Sequence, residues 1–151
     1  MSKRRVGAPA KKRKKGAKGR AKKGAKASAA PMVQNDPRTI ATYHAHVYYD
    51  PHKTRRRAER LRERIAAEFP RARLGRWHDE LVGPHPQSMY QIAFPRRMLG
   101  ALVPWLMLNR DGLIVLLHPE TGDDYRDHAV HAGWFGAVLP LRLRAFRKIH
   151  G

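Results

Sequence analysis

Histidines are the residues of this sequence whose type and spacing are best suited to chemistry. Residues 42–50, TYHAHVYYD, alternate strand-forming side chains and contain neither Gly nor Pro, a pattern that predicts a β-strand. Because successive side chains of a strand point to opposite faces, His44, His46 and Tyr48 share one face. Two imidazoles on one strand face can bind a metal ion or form a polar pocket, so we predict a site there.

Four further histidines lie in other segments where they could join this site. They are His85, between two prolines of a predicted turn; His118, at the end of a predicted strand; and His128 and His131, three residues apart on a predicted helix. Asp124 and Asp127 precede the last two by four residues, so their carboxylates are available to orient the imidazoles. Because several separate elements present histidines, a joint site is favoured over isolated polar residues.

The type of site follows from the donors that the chain offers. There is no Cys, so disulfides, thiolate ligands and Cys nucleophiles are excluded, and no HExxH zinc motif is present. Neutral imidazoles, with at most one carboxylate, suit Fe(II), Zn, Mn or Cu, and open coordination positions allow oxygen chemistry. We expect one mononuclear site and interpret His52, His78 and His150 as ordinary polar residues.

The elements that must position these histidines follow the order strand, helix, strand, strand, helix, strand. The predicted elements are a strand at residues 42–50, a helix from Asp50 to about Phe69, strands at 72–81 and 87–94, a helix from Pro95 that Pro104 kinks or restarts, and a strand at 113–117. This order predicts an α+β fold, a ferredoxin-like split βαβ sheet with two helices on one face.

The other face of such a sheet needs a cover. We expect either dimerisation, giving a homodimer, or the C-terminal segment to supply it. Thr121 or Asp123 is suited to cap a third helix that reaches about Ala132, and residues 141–151 alternate Leu and Arg as an edge strand or an arm would.

Residues 1–36 are predicted to be a disordered tail of Lys, Arg, Ala and Gly that precedes the folded domain, residues 37–151. The tail holds 13 of the 32 basic residues and one acid, and the domain holds 19 basic and 11 acidic residues, a net charge of +8 out of +20. Such a tail can contact nucleic acid non-specifically or simply increase solubility. It has no aromatic side chain to stack on bases, which argues against sequence-specific recognition.

The compartment is expected to be the cytoplasm, with no membrane contact. No apolar run reaches transmembrane length, the N-terminus has no apolar signal-peptide core, and the absence of Cys fits a reducing environment.

Four blocks of the sequence together resemble the DOPA 4,5-dioxygenase family. They are TYHAHVYYD, LGRWHDELVGPHPQSMYQIAF, LVPWLMLN and LHPETGDDYRDHAVHAGWFG, which follow one another over residues 42–141. The resemblance implies a small ferredoxin-like enzyme in which Fe(II) and O2 open the ring of a catechol by extradiol cleavage. The substrate would be L-DOPA or a related catecholic acid, and zinc or another divalent ion can occupy the site in purified protein.

The resemblance also implies roles for individual residues. The family's histidine motifs fall on six positions: His44, His46, His85, His118, His128 and His131. Iron must hold both catecholate oxygens and O2, which leaves about three positions for protein ligands. We assign His46, His85 and His118 as metal ligands, with His44 as the main competitor. His44, His128 and Tyr48 are the catalytic candidates, in proton transfer or in orienting the ligands.

The predicted topology makes one part of this assignment difficult. The first strand would lie between the third and fourth, which places His118 beside His44, whereas His85 falls near the far end of the first strand. These positions could be about 20 Å apart. The strands could be staggered, the turn could fold over the sheet, a second subunit could supply one histidine, or one candidate is not a ligand.

Two other functions remain open at the level of sequence. One is a nucleic-acid-binding module, with the basic tail attached to an RRM-like sheet, although no Gly-aromatic RRM motif is present. The other is a non-catalytic metal-binding domain.

Overall fold

The computed structural model describes residues 35–149, so the predicted basic tail lies outside the described residues apart from Asn35 and Asp36. Within the described residues, five strands and three α-helices follow one another. They are β1 (Thr42–Tyr49), α1 (Arg55–Glu68), β2 (Arg73–Leu74), β3 (Ser88–Pro95), α2 (Leu99–Asn109), β4 (Ile114–Pro119), α3 (Asp124–Ala129) and β5 (Gly133–Phe135). Short 3-10 turns cover Pro37–Thr39, Arg96–Met98 and Leu143–Ile149.

The strands form one antiparallel sheet in the order β2-β3-β1-β4-β5. The first four strands have the ferredoxin-like order, so the predicted α+β fold is confirmed. As expected, β1 lies between β3 and β4. The short strand β5, which the sequence did not predict, extends the sheet beyond β4.

Alternation along β1 separates an apolar face from a polar one. Ala45, Val47 and Tyr49 are buried in the main core together with Ile65 of α1 and Leu106 of α2, so both helices cover the same face. A strand can serve a core on one side and a site on the other because its side chains alternate. The opposite face therefore remains for the histidines.

Helix α1 begins later than predicted, at Arg55 rather than at Asp50. The Asp50 carboxylate accepts hydrogen bonds from the backbone N–H groups of His52 and Lys53, at 2.8 and 3.0 Å. Asp50 thus forms a local turn before the helix instead of capping its first turn.

The predicted strand at 72–81 is also shorter, because its pairing with β3 slips by one residue. Gly75 N–H donates to Gln91 O at 2.7 Å, which continues the register of β2 with β3. The next bridge joins His78 to Met89, which is one residue out of that register. One extra residue on this edge bends the chain away from the sheet. Helix α2 in contrast runs from Leu99 to Asn109 without the predicted restart, although Pro104 has no N–H to donate to the carbonyl of Gly100.

The structure decides two alternatives that the sequence left open: which residue caps α3, and whether the C-terminal segment is an edge strand or an arm. Asp123 caps α3 by accepting from Arg126 N–H at 3.0 Å, and the helix ends at Ala129, short of the predicted Ala132. The C-terminal segment is an arm with a 3-10 turn rather than an edge strand, and it covers part of the sheet's second face. Homodimerisation and a cytoplasmic location stay predictions. Within residues 35–149, no helix has both the length and the apolar character required to span a bilayer.

The core packing makes a simple stability prediction. Replacing the fully buried Leu106 by Ala should lower the free energy of unfolding by about 2–5 kcal/mol, because the substitution leaves a cavity beneath β1. Urea denaturation measures the effect. Leu108→Ala, on the same helix but 88% exposed, is the matched control and should change stability by about 0.5 kcal/mol at most. Equal losses in the two variants would contradict the assigned core.

Candidate metal centre

Two histidines of the site come from neighbouring strands in the middle of the sheet. His118 of β4 lies directly opposite His44 of β1, as the predicted topology requires. His46 is two residues further along β1 on the same face, so its ring meets that of His118 diagonally across the strand pair. The two Nε2 atoms lie 3.0 Å apart. Sheet pairing alone therefore brings this pair together.

A third histidine reaches the same face from the loop between β2 and β3. After the bridge at His78 the loop folds over the sheet, and a turn closed by His85 N–H and Val82 O carries His85 above β1. The His85 and His46 ring centres are 4.2 Å apart, and His85 Nδ1 is 2.7 Å from the Tyr48 hydroxyl. Four explanations were open for how His85 could lie near His118 despite the predicted distance between them. The structure shows the one in which the turn folds over the sheet.

The fourth histidine is His128, from the short helix α3. Its ring centre lies 4.0 Å from that of His118 and 5.6 Å from that of His46. Asp127 of the same helix is almost fully buried. Its carboxylate accepts hydrogen bonds from Thr121 N–H at 2.8 Å and from the Thr121 hydroxyl at 2.7 Å. These bonds tie α3 to the chain that leaves β4, and they bring His128 to the site.

Together the four side chains form a buried cluster of imidazoles, which we call the histidine quartet. Its members are His46, His85, His118 and His128, which are 3%, 4%, 3% and 9% exposed. His44 stands at the edge of the quartet, with its Nε2 3.4 Å from a carboxylate oxygen of the exposed Glu120. Tyr48 completes the face, stacked on Trp134 of β5 with ring centres 5.8 Å apart.

Backbone carbonyls determine which ring nitrogens of the quartet are free. His118 Nδ1–H donates to Pro119 O at 2.7 Å, and His128 Nδ1–H donates to Asp124 O at 2.8 Å. Both rings are therefore in the tautomer whose Nε2 carries a lone pair, the state in which imidazole binds a metal. His46 Nδ1 is buried and has no hydrogen-bond partner among the described residues.

The quartet is uncharged at neutral pH. Loss of hydration on burial lowers the pKa of His85 to about 3 and that of His118 to about 4, and it lowers the pKa of His46 and of His128 as well. For His46, His85 and His118, repulsion from neighbouring imidazoles lowers the pKa further. Burial also raises the pKa of the Tyr48 hydroxyl, which stays protonated.

This donor set fits a metal ion. Two overlapping groups have ligand atoms that all lie within 4.8 Å of one another: His44, His46 and His118, and His46, His85 and His128. His46 belongs to both groups. Buried neutral imidazoles with free lone pairs are the ligands that late first-row divalent ions prefer, so the residues present suit such an ion.

The structure places five of the six predicted histidines in or beside this cluster and excludes one. His131 follows the end of α3 rather than sharing a helix face with His128; it is exposed and lines a separate cavity of about 740 Å³ beside Tyr43 and Arg126. The three predicted ligands, His46, His85 and His118, are divided between the two groups above.

The prediction that the carboxylates of Asp124 and Asp127 orient the imidazoles was wrong. His128 is oriented by the backbone carbonyl of Asp124, and the carboxylate of Asp127 bonds to Thr121.

The apolar wall beside the quartet was not predicted. Tyr48, Met89 and Leu116 form its buried part, with Trp134 and Leu141 packed against them. Alternation along β3 and β4 was the available signal for Met89 and Leu116, whereas nothing local marked Leu141.

The lowered pKa values predict acid sensitivity of the metal-free protein. An unfolded chain protonates its histidines near pH 6.5, whereas folded His118 and His85 stay neutral until about pH 4 and 3. The free energy of unfolding should therefore be unaffected by these groups above pH 7. It should fall as pH decreases from 6.5 to 4, by up to about 1.4 kcal/mol per pH unit for each histidine.

Urea denaturation in the presence of a chelator, at several pH values, measures this loss. His118→Gln is the matched comparison, because it removes one titrating group and should reduce the slope by up to about 1.4 kcal/mol per pH unit. An identical pH dependence in the variant and the parent protein would show that burial of His118 does not control acid stability.

Comparison with curated proteins gives two relatives. An uncharacterized 21.2 kDa protein from Botryotinia fuckeliana is 40% identical over 100 residues, which are 61% of this chain and 55% of that protein. DOPA 4,5-dioxygenase from Amanita muscaria is 31% identical over 111 residues, which are 69% of this chain and 49% of the enzyme. The chain thus spans about half the length of the curated relatives it matches.

A solved structure and a family model agree with these relatives. The crystal structure of a Nostoc punctiforme protein, provisionally named a dioxygenase, has a TM-score of 0.74 and 49% identity, and the match covers 77% of this chain and 99% of that one. The Dopa 4,5-dioxygenase family model matches residues 43–145, which include the whole quartet. The resemblance noted in the sequence is therefore confirmed, and this chain belongs to the Dopa 4,5-dioxygenase family.

Proposed function

We propose that this protein is an Fe(II)-dependent extradiol dioxygenase that opens the ring of a catechol, such as L-DOPA or a related catecholic acid. The observation that carries the proposal is the buried quartet of neutral imidazoles, which is suited to hold an iron ion. Membership of the family supports dioxygenase chemistry. The name of the Amanita muscaria relative supports the choice of substrate.

We assign His46, His118 and His85 as the three metal ligands. Two nitrogens that bind one ion at about 2.1 Å, at right angles, are about 3.0 Å apart. The Nε2 atoms of His46 and His118 have this separation. We choose His85 as the third ligand because it is buried and neutral and its ligand atom lies within 4.8 Å of that of His46. The competitor His44 lies in one close group with both His46 and His118, but it is partly exposed and lies near Glu120.

Bound iron would supply the redox chemistry that joins O2 to the catechol ring. The protein must remove a catechol proton, and His128 is suited to accept it, because its Nδ1 donates to Asp124 O and its Nε2 is left as a base. The Tyr48 hydroxyl, which is protonated and 2.7 Å from His85 Nδ1, orients that ring and can return a proton. The apolar wall of Met89, Leu116 and Trp134 packs beside the quartet and limits the access of water.

The alternative of an RRM-like nucleic-acid-binding sheet has less support. An RRM binds bases on exposed aromatic side chains of its open sheet face. Here the corresponding face carries buried histidines beneath the loop at residues 79–87 and the C-terminal segment. Non-specific nucleic-acid contact by residues 1–36 remains a prediction.

The activity can be tested by anaerobic reconstitution with one equivalent of Fe(II). Addition of air and L-DOPA, or another member of a catechol panel that includes caffeate-like acids, should consume one O2 per substrate and form a yellow ring-opened semialdehyde. Protein loaded with Zn(II) is the control and should consume no O2, because zinc has no accessible redox change. Iron-loaded protein that turns over no catechol of the panel would instead be a non-catalytic metal-binding protein.

The ligand assignment is tested by metal content. His46→Ala, His118→Ala and His85→Ala should each lower the iron bound after desalting, whereas His131→Ala, which removes an exposed histidine outside the quartet, should not. His128→Gln should retain iron and lower kcat by about 100-fold, as expected for loss of a general base. Full iron content in any of the three alanine variants would remove that residue from the ligand set. Loss of iron in His44→Ala would identify His44, in place of His85, as the third ligand.

A further inference from the structure

The C-terminal segment, residues 139–146, lies across the face of the sheet that carries the quartet, and we call it the strap. Its first part is anchored in the apolar wall, where Leu139 and Leu141 pack against Tyr48, Met89 and Leu116. Burial of these side chains favours a fixed position for the strap. The residues that follow are thereby carried to the two elements that hold His85 and His128.

Arg142 joins the strap to the loop of His85 by three hydrogen bonds. Its backbone N–H donates to Pro84 O at 2.8 Å, and its Nη2 donates to Gly83 O at 3.2 Å and to His85 O at 3.0 Å. Three consecutive carbonyls of the loop are thus held by one residue. Gly83 has a positive φ of 55°, so the loop makes its sharp turn where Arg142 binds it.

Phe146, four residues further along the strap, contacts the other histidine that lies outside the sheet. Its ring centre is 5.0 Å from that of His128, and the two rings are tilted by 44°. An aromatic ring packed beside an imidazole restricts its rotation, and it also excludes water from that side. Arg142 and Phe146 therefore contact different members of the quartet from a single short segment.

The four histidines differ in how the fold holds them. His46 and His118 lie on β1 and β4, whose hydrogen bonds to each other fix the backbone on both sides of the site. His85 lies in a loop, and His128 lies in a helix of six residues, and neither element is paired into the sheet. Such elements open more readily than central strands, so they need other contacts to hold a ligand in place.

We propose that Arg142 and Phe146 are positioning residues: through Arg142 the strap holds the ligand His85, and through Phe146 it holds the base His128, against His46 and His118. Neither residue is a metal ligand or contacts substrate in this proposal. The inference rests on the proposed function, because it assumes that the quartet binds a divalent metal ion. It predicts that metal affinity depends on a segment outside the quartet itself.

The experiment measures Co(II) binding by the full chain, since Co(II) reports its ligands through its visible absorption spectrum. Arg142→Ala should weaken Co(II) binding by about tenfold or more, as is typical when contacts that orient metal ligands are removed, and should change the Co(II) spectrum. Phe146 contacts the base His128 rather than a ligand, so Phe146→Ala should retain Co(II) affinity. Arg142→Lys, which can still donate to a loop carbonyl, should recover part of the affinity. Arg144→Ala is the matched control, because Arg144 is an exposed arginine of the same segment.

A second readout uses the metal-free protein and separates positioning from general stability. Reaction of each imidazole with diethyl pyrocarbonate, followed by peptide mass spectrometry, should accelerate at His85 in Arg142→Ala and at His128 in Phe146→Ala. His46 and His118 should keep their rates in both variants. Acceleration at all four histidines, or in neither variant, would overturn the proposal even if a variant were too unstable for metal titration.

The outcomes distinguish this inference from the proposed function. If the unmodified protein binds Co(II) and Fe(II) but Arg142→Ala binds Co(II) with the same affinity and spectrum, the strap does not position the ligands and the inference is wrong. Equal weakening in Arg144→Ala would overturn it too, because the effect would then not depend on the contact with the loop. If the unmodified protein binds neither ion, the proposed function fails, and that result is seen without any variant.

Discussion

Four imidazoles can be buried side by side only while each of them is uncharged. Burial removes the hydration that a protonated ring requires, and every protonated neighbour would repel the next, so the pKa values of the quartet all lie below that of free histidine. The same condition leaves lone pairs on the ring nitrogens. Ring nitrogens that stay unprotonated in this way remain available to a metal ion, which needs their lone pairs.

This arrangement depends on a strand that serves two environments. On one side of β1, Ala45, Val47 and Tyr49 pack under the helices in the main core, and on the other side His46 and Tyr48 face the site. Stability and chemistry are therefore assigned to opposite faces of the same strand. The core fixes the backbone of β1, and the neighbouring strand β4 fixes the distance between His46 and His118.

The remaining half of the site is built from less rigid parts. A loop brings His85, a six-residue helix brings His128, and the strap crosses both. The loop is also held at its first half, where Asp79 accepts from the Tyr49 hydroxyl at 2.7 Å and its backbone carbonyl accepts from the Ser88 hydroxyl at 2.6 Å. A rigid pair beside a less rigid pair suits the proposed metal centre, which would have to admit a substrate.

Much of the fold was predictable from local patterns. Alternation in residues 42–50 predicted β1 and the shared face of His44, His46 and Tyr48, and the order of elements predicted the ferredoxin-like sheet with β1 in its middle. The sequence blocks also indicated the family, which the family match confirmed. These features follow from residue type and short spacing, since strand periodicity and turn residues act over a few positions of the chain.

Only the tertiary structure decided which histidines meet. The path of the loop that carries His85 depends on Arg142, 57 residues away in sequence, and on a one-residue slip against β3 that no local pattern indicates. The position of His131 depended on where α3 ends, and His128 is oriented by a backbone carbonyl, which carries no residue signature. The sequence by itself determined the strand, its polar face and the candidate donors. The convergence of four donors was decided by contacts between distant segments, because packing and long-range hydrogen bonds, not local propensity, set the course of a loop.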